Sequence, residues 1–106
     1  MTGRATTAAE DPPTLELLRE YREEIVQISA DHGAYNVRVF GSVARRTALP
    51  SSDIDLLFDF EPGRTLRDQV GLWRDLESLL GRSVDVVSAG GLTTRDDDIR
   101  ADALVL

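Results

Sequence analysis

Apolar positions recur along this chain in two periods, and the period changes at definable points. From Thr14 to about Ala30, Leu18, Tyr21, Ile25 and Ile28 fall at helical spacing, while Arg19, Arg22, Glu23 and Glu24 fill much of the other face. This predicts a helix with Thr14 as N-cap, its stripe packed on the domain's own sheet, ended by His32-Gly33. Tyr35–Phe40 and Asp53–Phe60 read as strands, joined by the short polar stretch Arg45–Ser52 that keeps them close. Leu56-Leu57-Phe58 is continuously apolar, as in a strand covered on both faces. Glu61-Pro62-Gly63 marks a turn. Thr65 with Asp68 three residues on then opens a second helix, a weaker form of the capping box. Leu66, Val70, Trp73, Leu76 (or Glu77) and Leu80 line its inner side, and Gly81 stops it. Trp73 is expected in the core, with stacking on a nucleobase as the lesser alternative. Ser83–Val87 is a third strand, with Val84 and Val86 on one face and Asp85 on the other. After Ala89-Gly90-Gly91, Thr94 with Asp97 opens a last helix, and the apolar run Ala103–Leu106 packs on the sheet or on a partner. Met1–Pro13 has little to bury and is expected to be a mobile tail, leaving 14–106 as one domain.

The chemistry concentrates between the first two strands. Val37–Phe40 ends at Gly41, where backbone can approach a ligand closely. A short helix starting near Ser42 offers unpaired N–H groups that suit a phosphate. Asp53 and Asp55 sit at i and i+2 of the second strand and project together, while Ile54 points into the core. Two adjacent carboxylates repel unless a cation lies between them, and a hard divalent ion, Mg²⁺ above all, fits oxygen ligands. Asp85 is costly to bury in a β-branched strand unless it joins that cluster. A calcium loop does not fit, because no third acid follows Asp55 at the needed spacing. A dinucleotide site does not fit either, since Gly41 lacks the other glycines of GxGxxG.

Gly41-Ser42, ten intervening residues, then Asp53-Ile54-Asp55 resembles the signature of the nucleotidyltransferase superfamily that includes DNA polymerase beta. The fuller string GSVARRTALPSSDIDLLFDF is similar to the minimal nucleotidyltransferases, antitoxins whose partner is a HEPN-type ribonuclease toxin. Arg46 departs from the pattern, standing where this family usually has glycine. The resemblance implies an α/β (α+β) polymerase beta-like fold, a small mixed sheet with helices mainly on one face. It implies two Mg²⁺ ions held by Asp53, Asp55 and Asp85, the last of which matches the family's third carboxylate. It implies ATP as substrate, its β- and γ-phosphates on Gly41 and Ser42, with Arg45 adding a charged contact. And it implies transfer of AMP to a tyrosine of the cognate toxin, which is thereby silenced. Occlusion of the toxin by binding alone, and transfer to a small molecule such as an aminoglycoside, are the alternatives.

Composition changes this picture little. A formal net charge of −7 argues against nucleic acid as the main partner and suits a basic protein partner. The 12 basic residues are all arginine, which excludes a P-loop lysine and Schiff-base chemistry. No cysteine and no membrane-length apolar run fit a cytoplasmic domain without membrane contact. His32, the single histidine, is given no role, and Asp96-Asp97-Asp98 suits the positive end of a helix better than a further metal site.

Overall fold

The computed structural model describes residues 11–106. Met1 to Glu10, most of the predicted tail, lie outside the described residues, and Pro13 is buried just ahead of the first helix. Thr14 caps that helix as its sequence predicts, its Oγ1 accepting from the Leu17 N–H at 3.0 Å. The single helix expected over 14–30 is instead two, α1 (Leu15–Glu20) and α2 (Arg22–Asp31). They meet at Tyr21, whose N–H bonds back to the Leu18 carbonyl at 3.1 Å and tightens the turn. The apolar stripe survives the joint: Leu18 and Ile25 are buried, and Tyr21 and Ile28 pack partly against the core. His32 closes α2, its Nε2 2.8 Å from Asp75, tying α2 to the long helix described below.

The remaining elements are β1 (Ala34–Phe40), α3 (Gly41–Arg45), β2 (Ile54–Phe60), α4 (Leu66–Leu80), β3 (Val84–Ser88), two 3-10 turns (Ala89–Gly91, Thr94–Asp96), α5 (Asp97–Asp102) and β4 (Leu104–Val105). The sheet order is β3-β2-β1-β4. β2 and β3 run parallel, with α4 as their crossover, while β1 is antiparallel to both β2 and β4. The sheet is therefore mixed, as expected. A bulge interrupts β1 between Tyr35 and Arg38. Asn36 sits there at φ 56, a conformation asparagine tolerates, and its Nδ2 donates to Asp59 at 2.8 Å.

Val39, Ile54, Leu56 and Phe58 face Leu18, Ile25, Leu72 and Leu76 in one core. Leu57 is only 1% exposed and Phe40 7%, yet both point to the other face, which the C-terminal turns and α5 cover. That confirms the double coverage expected of Leu56-Leu57-Phe58. α4 opens at Thr65, whose N–H donates to Asp68 Oδ2 at 2.9 Å, and ends at Gly81 in the left-handed region. Its inner face differs from expectation. Leu72, Leu76 and Leu80 are buried with Leu79 partly so, whereas Leu66 is 71% and Trp73 39% exposed. Four leucines at 72, 76, 79 and 80 form a tighter aliphatic stripe than Leu66, Val70 and Trp73, and the helix rotates to bury it. The last cap also shifts by one: Thr93, not Thr94, bonds Asp96, its N–H reaching Oδ2 at 2.8 Å. Asp97 then pairs with Arg100 at 3.1 Å inside α5. Leu104 and Val105 pair with β1, and Leu106 is buried. Among the described residues no helix is long and apolar enough to cross a membrane.

Arg46 caps α3 at φ 62, so the arginine adopts the backbone conformation that glycine favours. Its guanidinium lies 2.9 Å from Glu16, an exposed ion pair that holds the Glu16 carboxyl below its ordinary value. Left-handed backbone costs a non-glycine residue about 1–2 kcal/mol, and a fully exposed pair screened by water returns little of it. Arg46→Gly is expected to be neutral or to stabilise the fold by up to about 1 kcal/mol, read from the denaturation midpoint.

Candidate active site

The site is built at the end of β1. Phe40 pairs with Asp55 across β1 and β2, so the turn into α3 lies against that aspartate. Gly41 makes the turn at φ 73, and a Cβ there would stand 2.2 Å from Asp55 Oδ2. α3 begins at Gly41, one residue before the expected start at Ser42, and Ser42 is half-buried in its first turn.

The carboxylates gather at the same end of the sheet. Asp55 and Asp85 are register partners in the parallel pair of β2 and β3. Their side chains therefore stand on one face of adjacent strands, with backbones about 5 Å apart. Asp53 is exposed and lies one residue before β2, where the sequence had placed it inside the strand. Asp55 carries the electrostatic signature of this arrangement. Burial pushes its carboxyl up from 3.8 to about 6, the charges of Asp85 and Asp53 add to the rise, and Arg45 opposes it. Among the described residues, no three acids close around one point as a finished cation cage. The mutual repulsion and the missing cage are compatible. The three groups feel one another's charge across an open site, and Mg²⁺ needs only one or two carboxylates, taking its other oxygens from water and substrate phosphate. The donor set fits such an ion.

Arg45 sits at the margin of this cluster, its guanidinium bonded to Asp102 of α5 while its charge reaches Asp55. Asp102 had no signal in the sequence, because only the return of the C-terminal segment brings it there. Arg46 points away toward Glu16. A groove of about 540 Å³ reaches the acids from the side of β3, between that strand and α4. Asp53 and Asp85 line it together with Leu66, Val70 and Trp73, and it includes neither Gly41 nor Ser42. Trp73, expected in the core, is thus a wall of this groove.

Residues 18–104 match the family described as nucleotidyltransferase domain. The chain belongs to the nucleotidyltransferase family. It is 38% identical over 78 residues to the protein adenylyltransferase MntA of Thermococcus cleftensis, covering 66% of this chain and 79% of that one. A solved structure assigned as a minimal nucleotidyltransferase is 49% identical, with a TM-score of 0.78, covering 89% of this chain and 97% of the other. The complex of a Shewanella oneidensis tri-AMPylated HEPN toxin with its MNT antitoxin is similar in fold, with a TM-score of 0.63 at 18% identity over 82% of this chain and 69% of that one. This nucleotidyltransferase therefore has the fold that its Gly-Ser and Asp-x-Asp motifs imply.

Proposed function

We propose that this nucleotidyltransferase is an antitoxin that moves AMP from ATP onto a tyrosine hydroxyl of a cognate HEPN-type toxin. The observation that carries it is the pairing of Asp55 with Asp85 beside the Gly41 corner, with Asp53 adjoining. Gly41 and Ser42 receive the β- and γ-phosphates through backbone N–H groups and the serine hydroxyl. Arg45 contributes charge to the phosphate tail, in competition with Asp102. The acceptor oxygen bonds to the α-phosphorus, the bond from that phosphorus to the bridging oxygen breaks, and pyrophosphate leaves. Asp85 takes the acceptor proton. Asp53, Asp55 and Asp85 would hold two Mg²⁺ ions, which supply a lowered acceptor pKa and charge neutralisation on the leaving oxygen. The names of the relatives, an adenylyltransferase and an antitoxin bound to an AMPylated toxin, support this reading.

The net charge of −7 favours a second mechanism, in which an acidic surface simply occludes a basic toxin. Intact-mass measurement of the co-expressed toxin separates the two. The expected result is a mass gain of whole AMP units that requires Mg²⁺ and vanishes with Asp53→Asn while the complex persists. Neutralisation that survives Asp53→Asn without any mass gain would establish occlusion instead.

A further inference from the structure

The groove along β3 reaches two of the acids but extends well beyond them, along the strand edge and under α4. It meets Asp53 and Asp85 but not the Gly41–Ser42 corner, so it approaches the carboxylates from the side away from that corner. β3 is the outer strand of the sheet. Backbone groups of successive strand residues point to opposite sides, and the Ser83 carbonyl accepts from Ile54 on the β2 side at 3.0 Å. Val84 and Val86 therefore direct their N–H and C=O groups outward. The Val84 N–H is taken by Glu77 Oε2 at 2.9 Å. The Val86 N–H and the carbonyls of Val84 and Val86 have no hydrogen-bond partner among the described residues. Above this edge stand the exposed side chains of Leu66 and Trp73. An open strand edge is normally blunted by charge or covered, and here one carboxylate blocks only its first amide.

We propose that this edge binds the acceptor itself: an extended polypeptide segment, carrying the acceptor tyrosine and flanked by basic residues, pairs with β3 at Val86 under Leu66 and Trp73. Strand addition supplies main-chain affinity, and the apolar wall supplies side-chain contact. The acidic mouth formed by Asp53, Asp85 and Glu77 selects positive flanks. A residue paired beside Asp85 stands about 5 Å from it, within reach of the transfer site.

The proposal rests on AMP transfer to a protein as described above, but its test requires no turnover. The purified toxin is titrated into this protein without ATP, and Mg-ATP is titrated separately. Toxin binding is expected to slow hydrogen exchange of the Val86 amide at least tenfold. Trp73→Ala and Leu66→Ser are expected to weaken toxin binding about tenfold or more, because buried aromatic and apolar anchors dominate such interfaces, with Mg-ATP affinity within about twofold of wild type. Unchanged exchange at Val86 overturns the proposal. So does a loss of Mg-ATP affinity with intact toxin binding, which would make the groove a nucleobase site. Toxin that binds as expected yet gains no AMP when ATP is added overturns the transfer reaction and leaves the docking edge standing. Toxin that does not bind at all overturns both.

Discussion

Asp55→Asn should abolish AMP transfer, by about a thousandfold or more, and at the same time make the metal-free protein more stable at neutral pH. The two effects have one cause. Asp55 is ionised at pH 7.5 in a half-buried position facing two other acids, which pushes its carboxyl to about 6 in the folded chain against 3.8 in the unfolded one. A carboxyl whose folded value is raised destabilises the fold above about pH 6. As pH falls from about 6 toward 3.8 the folded state takes up the proton first, so acidification restores stability. The group is partly solvated, and after discounting for screening the effect is about 1 kcal/mol. Urea titrations in EDTA at pH 7.5 and pH 5 should show wild type gaining this amount relative to Asp55→Asn. A variant less stable than wild type at pH 7.5 would mean that Asp55 is compensated by contacts other than the ones described.

Gly41→Ala should separate stability from activity in the opposite sense. The left-handed backbone at φ 73 and the 2.2 Å approach of a Cβ to Asp55 Oδ2 both act against the methyl group. The carboxylate tip can swing aside, so the fold loses about 1–2 kcal/mol, most of it from backbone strain. The chemistry has no such latitude. A carboxylate displaced by about 1 Å is expected to lose about a hundredfold in kcat, measured by pyrophosphate release at a temperature where the variant stays folded. Retention of full activity would remove Asp55 from the reacting centre. Arg46→Gly, five residues on, is the control: the same backbone region with relief in place of strain.

The parts of this molecule that local chemistry determines were legible in the chain. A strand that stops at Gly41 and two aspartates one residue apart need only short-range geometry. So do the caps at Thr14 and Thr65, though the cap expected at Thr94 fell one residue off because Thr93 and Asp96 offer the same spacing. The break at Tyr21 was not legible, since the apolar stripe passes through it unbroken. The rotation of α4 was not legible either. Two overlapping apolar stripes share that helix, and only the shape of the sheet beneath it decides which is buried. Trp73 was consequently placed in the core when it walls the groove. Arg45 was legible as a cation near the Gly41–Ser42 corner, but its bond to Asp102 joins residues 57 positions apart and has no local signal.

The crossover between β2 and β3 has a consequence for assembly. β1, α3 and Asp55 come together through a short connection, whereas Asp85 reaches its place only after all fifteen residues of α4 have crossed the sheet. Closing that longer connection carries the larger entropy cost. A nascent or partly folded chain can present two of the acids, but the third arrives only when β3 pairs with β2. Catalytic competence thus doubles as a report that this crossover has closed.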